Sequence, residues 1–318
     1  MRGPLLALLL ALGAACARDR EPPAYHVTID VTPSVRALAS DDMFESDEAV
    51  ERLAALGTDV LPVLEEALRR EPGPVRVGVV EVLSRLRTPE CVPLLLRVAA
   101  EDAEADVRYE ALQEIGVVAD PRARAVVEAA LDDPAPKVRL AAAKGCAQLC
   151  TSPAALARLV RIAVADQPFP NAIWARASLV RMLAEKDGAR PAQARAAIEE
   201  GARPVLGGTA PLEERARAGL LLAELGDTTG AAALAEAAAA PEANLQLRLY
   251  AAWALGRVGG AGEVARLAAM LGDPQRALAG YAADALRRLG ERGVPGAAEA
   301  LGAHGGPLPA QPLPPPGP

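Results

Sequence analysis

VRYEALQEIGVV, beginning at Val107, decides how the chain is read, because the same block returns six more times. It stands as VRVGVVEVLSRL from Val75, VRLAAAKGCAQL from Val138 and AIWARASLVRML from Ala172. It continues as ERARAGLLLAEL from Glu214, LRLYAAWALGRV from Leu247 and LAGYAADALRRL from Leu278. Successive starts are separated by 32, 31, 34, 42, 33 and 31 residues. Eight residues into each block stand Leu83, Ile115, Cys146, Val180, Leu222, Leu255 and Leu286. Eleven residues in stand Leu86, Val118, Leu149, Leu183, Leu225, Val258 and Leu289. Four residues in the side chain is small, with Arg176 as the exception. Steps of four, eight and eleven keep one stripe on one face of a 3.6-residue helix, and small residues let a neighbouring helix approach.

Each block is followed by Gly, Pro or polar residues and then by a second apolar stripe, such as Val92, Leu95 and Val98. Gly226, Gly259, Gly260 and Gly290 stand where a helix should stop, and Asp133-Pro134 and Asp273-Pro274 where the next should start. Each unit therefore reads as helix–turn–helix. An earlier pair, Asp47–Leu56 and Asp59–Arg70, reads as an N-terminal capping unit. The composition agrees. The chain of 318 residues is 51% apolar but only 3% aromatic, so its apolar mass is Ala, Leu and Val, which favours helices over sheets. One helix pair cannot bury its apolar face alone, whereas stacked pairs bury a continuous one.

Units of this length and pattern resemble HEAT repeats, and more narrowly the short HEAT-like repeats named for phycobilisome lyases, over about residues 46–302. The residue-level hallmark is an acidic residue six before an Arg: Asp102/Arg108, Asp133/Arg139 and Glu242/Arg248, with Glu71/Arg76 one residue short. The resemblance implies an all-α fold, a right-handed α-solenoid of about seven to eight helix–turn–helix repeats. It also implies that these acid–arginine pairs form a ladder between adjacent units, interrupted where Ile173 and Ala279 replace the Arg. At about 9–10 Å between neighbouring helices, about eight units predict a curved rod roughly 70–80 Å long. The 42-residue spacing marks an insertion around Arg190–Pro211 and predicts a bend or an extra turn there.

The two ends are of different character. Residues 1–17, MRGPLLALLLALGAACA, carry Arg2 and then an apolar run from Leu5 to Leu12, the pattern of an export signal. Two readings follow. Ala15-Cys16-Ala17 is a small-x-small cleavage site; alternatively the segment resembles a bacterial lipoprotein signal with Cys16 as the lipidated residue, departing from it at Gly13. Either reading predicts an exported protein, periplasmic or membrane-anchored through a lipid. Residues 18–45 then read as a stalk, with a short alternating strand from Tyr25 to Thr32 that ends before Pro33. The tail from Ala303 is Pro- and Gly-rich and predicts disorder or polyproline II.

The sequence offers little catalytic chemistry. Its two histidines, His26 and His304, both lie outside the repeats, and no GxxxxGK[ST] or strand-linked GxGxxG is present. No cofactor and no metal site are expected. Cys91, Cys146 and Cys150 read as structural, Cys146 as a buried hydrophobe, because an unbroken helix orients an i,i+4 cysteine pair poorly for bonding. Trp174 and Trp253 read as packing between units. The net charge of −7 disfavours a nucleic-acid partner. The expectation is a non-enzymatic scaffold binding another protein along the concave, second-helix face, with Arg97, Glu128, Arg158, Arg161 and Arg266 as candidate surface residues. The alternative implied by the resemblance is a cytosolic enzyme or accessory subunit related to the HEAT-like bilin lyases, which would carry a chromophore pocket.

Overall fold

The computed structural model describes residues 7–11, 26–118, 120–303 and 314, with only the backbone described at 7–11, 26–29 and 118. The chain divides into two compact units, Met1–Leu149 and Cys150–Pro318. In the first, β1 (Ala7–Ala11) pairs antiparallel with β2 (His26–Asp30), Leu9 standing opposite Thr28. The alternation read from Tyr25 to Thr32 is therefore a strand over His26–Asp30, while Thr32 already opens the first helix. Its partner is the apolar run of the N-terminal segment.

Helices α1 (Thr32–Ala37), α2 (Met43–Ala54), α3 (Leu61–Arg70), α4 (Gly73–Leu86) and α5 (Val92–Glu101) follow. Helices α6 (Ala105–Val118), α7 (Arg124–Ala130) and α8 (Pro136–Leu149) complete the unit. First helices α2, α4, α6 and α8 stack on one another, and α3, α5 and α7 are the second helices. The expected stalk is helical from Thr32 onward. Val31, Val35 and Leu38 are buried, and a Cβ on Gly78 of α4 would lie 2.7 Å from Leu38 Cβ, so α1 lies directly on the α4 backbone. Pro33 sits in the first turn of α1, where its missing N–H costs nothing.

The second unit runs through α9 (Pro153–Ala165), α10 (Phe169–Leu183), α11 (Arg190–Leu206), α12 (Leu212–Glu224) and α13 (Ala231–Ala239). It ends with α14 (Leu245–Val258), α15 (Ala261–Met270), α16 (Arg276–Glu291) and α17 (Ala297–Ala303). Its core gathers Leu220, Leu234, Leu247, Tyr250, Leu255, Leu267, Leu286 and Leu289 from successive helices. The long repeat spacing is taken up by α11, a second helix of 17 residues, rather than by a bend. Gly219 and Gly230 let α12 meet the turn before α13 closely: a Cβ on Gly230 would lie 2.4 Å from Gly219 Cα.

Burial corrects the register in one block. In α10 the positions at steps of four, eight and eleven from Asn171 (Ala175, Leu179 and Met182) are buried, whereas those counted from Ala172 (Arg176, Val180 and Leu183) are not, so the stripe starts at Asn171. Arg176 then no longer breaks the small-residue rule, because Ala175 occupies that place. Asn171 is 1% exposed, and its Nδ2 donates to Asp166 Oδ2 at 2.8 Å.

Cysteine chemistry also differs from expectation. Cys146 and Cys150 are disulfide-bonded, and Cys91 is a buried free thiol. Helix α8 ends at Leu149, so Cys150 lies outside it and escapes the constraint that an unbroken helix places on an i,i+4 pair. Residues 1–6 and 12–25, Cys16 included, lie outside the described residues. So do His304 and the tail apart from Pro314, whose carbonyl accepts from the Tyr281 hydroxyl at 3.1 Å.

Candidate functional site: a charged ladder, two helix faces and a cavity

Arg76 and Arg108, each following a block start, do two things at once, and Arg139 shares the first. Arg76 Nη1 donates to the Glu71 carbonyl, Arg108 Nη1 to the Asp102 carbonyl and Arg139 Nη1 to the Asp133 carbonyl, at 2.8, 2.8 and 2.9 Å. Arg76 Nε and Nη2 also bond both carboxylate oxygens of Asp102 in the next repeat, and Arg108 bonds both of Asp133. Each Asp in turn accepts from a backbone N–H that opens its own first helix: Glu104 N to Asp102 and Ala135 N to Asp133. The six-residue spacing thus joins guanidinium to a backbone carbonyl, while the carboxylates join one repeat to the next.

The second unit varies the scheme. Arg248 Nη2 bonds Asp273, and its Nε donates to the Ala238 carbonyl rather than pairing with Glu242, which is exposed. No arginine follows the start of α10. Arg217 of α12 takes over there, donating to the Val164 and Asp166 carbonyls while only 2% exposed. Its guanidinium lies 5.1 Å from the Phe169 ring centroid, and burial lowers its pKa against the opposing pull of Glu213.

The candidate surface residues are distributed over both units. Arg97 on α5 is half-buried and donates to Glu65 of α3 at 3.0 Å, which holds the Glu65 carboxyl below its usual value. Glu65 also pairs with Arg69, so this second-helix face carries an ion-pair run of its own. Glu128 stands half-buried on α7. In the second unit Arg158 and Arg161 stand three residues apart on α9, and Arg266 is exposed on α15. The structure brings Arg97 to Glu65 and leaves Arg266 in solvent.

Sequence reasoning missed two features of the first unit. One is acidic. Glu81 on α4 and Glu110 on α6 both have raised carboxyl pKa values, Glu110 from burial and then from Glu114 and Glu81. The other is a cavity of about 370 Å³ where α4 ends and α5 begins, roofed by the last turn of α6. Val117, Arg87, Glu114, Asp120 and Arg122 border it, and Leu83, Cys91 and Leu95 stand behind them almost fully buried. Among the described residues no group of three or more His, Cys, Asp or Glu could hold a metal ion. No described helix is long and apolar enough to cross a membrane.

A family model for HEAT repeats matches residues 35–113 and 92–180. Residues 35–180 carry HEAT repeats. Among solved structures, the chain is similar to Escherichia coli YibA at 17% identity, with 81% of this chain and 91% of that one covered and a TM-score of 0.53. That likeness is one of fold. It also resembles the CpcE–CpcF complex of phycocyanin lyase from Nostoc sp. PCC7120, at 18% identity over 91% and 98% of the two chains, with a TM-score of 0.38. Human deoxyhypusine hydroxylase matches at 20% identity over 82% and 96%, with a TM-score of 0.32. No curated protein matches the sequence.

Proposed function

We propose that this HEAT-repeat chain is a non-enzymatic scaffold that holds a partner protein on its second helices, and that it works outside the cytoplasm, tethered or free in the periplasm. The observation that carries the reading is the ladder. In the first unit the shielded charges join one repeat to the next, which leaves charged side chains of the second helices, α5 there and α9 and α15 in the second unit, open to a partner. The two histidines at positions 26 and 304, both outside the repeats, give the same direction. For the address, the support is the Arg2 plus Leu5–Leu12 pattern and Cys16.

A photo-crosslinking amino acid placed at Arg266 or Arg161 should trap one discrete protein in the native cell, while the same probe at Glu110 on a first helix should trap less. Equal trapping from both faces would reject the second-helix surface. Mass spectrometry of the mature N-terminus tests the address separately: a lipidated Cys16 or a start near Arg18 supports it, and an uncleaved Met1 rejects it. An absorbance scan of the purified protein separates the chromophore-lyase alternative, which requires co-purifying colour.

A further inference from the structure

The two strands of the first unit are held by different means. β2 (His26–Asp30) runs directly into the helical body: Val31 is 3% exposed, and the Asp30 carboxylate accepts from the Thr32 N–H at 3.0 Å. Helix α1 follows at once, with Val35 and Leu38 buried. β1 (Ala7–Ala11) reaches the body through its pairing with β2 and through the turn Gly57–Val60, against which it lies. Among the described residues the sheet has these two strands alone, so β1 is the whole of the pairing that β2 has.

β1 falls inside the apolar run Leu5–Leu12, which the sequence marks as the core of an export signal. Cleavage before Cys16 or after Ala17 would remove it and leave β2 anchored through Val31 and α1. The edge so vacated is a row of backbone N–H and C=O groups without a protein partner, and such an edge is a template for another extended chain. The pairing with β1 shows what that edge accepts. Leu8, Leu9 and Leu10 stand opposite Ile29, Thr28 and Val27 in antiparallel register, with Ala7 and Ala11 at the two ends. Val27, Thr28 and Ile29 are β-branched, which suits them to an extended backbone.

We propose that the processed chain takes an uncharged, leucine-rich extended segment of a partner protein into the seat of β1, paired antiparallel with His26–Asp30. Main-chain hydrogen bonds along the ladder supply the affinity, as in other cases where a peptide adds a strand to an open edge. A two-stranded ribbon is marginal by itself, and the turn Gly57–Val60, on which β1 lies, gives the incoming strand a second contact. While β1 is attached it fills the edge, so the seat opens only when export has removed the signal. The inference rests on the export reading. It is separate from the second-helix surface, because it uses none of those residues.

Hydrogen exchange read by mass spectrometry on the processed chain, purified from an exporting cell, tests it. The probe is a synthetic peptide of residues 5–12, LLALLLAL, with a Lys-Glu pair at each end for solubility. Its control has proline in place of Leu9, which stands opposite Thr28. The probe should slow exchange over residues 26–30 about tenfold or more, and the proline peptide should not. The unprocessed chain, with β1 in its seat, should show that protection without any peptide. Thr28→Pro in the processed chain should abolish the effect and leave the helical melt unchanged, because β2 precedes the first helix. Equal protection by both peptides, an unaltered effect in Thr28→Pro, or no protection in a chain that starts at Cys16 or Arg18 overturns the strand seat alone. An uncleaved Met1 overturns it together with the export reading. Protection that rises with protein concentration in the absence of peptide assigns the edge to a second copy of β2 and overturns the foreign strand.

Discussion

Arg76 on α4 grips Asp102 of the next repeat through two parallel hydrogen bonds, Nε to Oδ2 and Nη2 to Oδ1, each 2.8 Å. The side chains are 13% and 8% exposed, so the pair is shielded from solvent and from salt. It is also locked at both ends. Arg76 Nη1 holds the Glu71 carbonyl, and Asp102 Oδ1 caps the Glu104 N–H. Such a pair fixes the offset between one repeat and its neighbour as well as their affinity.

Removing one partner strands a charge that the fold has taken from water. Arg76→Ala and Asp102→Ala should each destabilise the first unit by about 3 kcal/mol. The double variant should cost clearly less than the sum, because the stranded charge disappears with its partner. Hydrogen exchange of the α4 and α6 amides, read beside denaturant melts, checks both values. Arg76→Lys should rescue little, since an ammonium cannot bond two carboxylate oxygens and a carbonyl in this planar arrangement. Additive losses in the double variant would show that the two residues act independently.

Gly230 makes a prediction of a different kind, from space rather than charge. A Cβ there would lie 2.4 Å from Gly219 Cα, which is backbone and cannot rotate away. Gly230→Ala should therefore force α12 from the start of α13 and cost about 1–3 kcal/mol. Gly262→Ala in α15, where a Cβ meets nothing within 4 Å, should be neutral or slightly stabilising through helix propensity. Thermal melts of the two variants side by side separate a steric effect from a general intolerance of glycine replacement.

How far these relationships were legible depends on the residue type that carries them. Leu83, Ile115, Leu222, Leu255 and Leu286 recur at one offset and are all buried, so hydrophobic period alone locates the first helices. The same counting slipped by one residue in α10, because Asn171 is polar yet buried and bonded to Asp166, and a hydrophobic stripe does not register such a residue. Helix α1 has six residues, fewer than two turns, and leaves no period to read. The arginine and aspartate positions of the ladder were visible, but their pairing was not, since spacing does not tell a backbone carbonyl from a carboxylate as the acceptor. The cavity was invisible because its lining comes from the ends of helices and the turns between them, which no hydrophobic period records.

Cysteine mapping checks the least expected feature. Alkylation of the denatured but unreduced chain should label Cys91 and leave Cys146 and Cys150 unmodified; reduction should then expose both. The native chain should label Cys91 only slowly, because that thiol is 1% exposed. Labelling of Cys146 without reductant would show that α8 ends in two free thiols. A chain purified under reducing conditions would give that result too, so material prepared without reductant is the informative sample.

The acidic side of the first unit gives the pH dependence. Glu110 has a raised carboxyl pKa, first because burial disfavours its charge and then because Glu114 and Glu81 lie near it. Glu81 is raised for the same kinds of reason, with Asp47 and Glu114 as neighbours. A carboxyl whose pKa is higher in the folded chain than in the unfolded one stabilises the fold while protonated. That contribution is fully present below the unfolded value of 4.5 and is lost as pH rises through the folded value. The first unit should therefore lose stability between mildly acidic and neutral pH. Glu110→Gln, which keeps shape and removes the charge, should raise its melting temperature at pH 7, and the gain should vanish once the pH falls below 4.5. Hydrogen exchange along α6 assigns the effect to the first unit rather than the second. A variant less stable than the parent at neutral pH, or a gain independent of pH, would mean that the Glu110 charge is matched by a cation and not opposed by its neighbours.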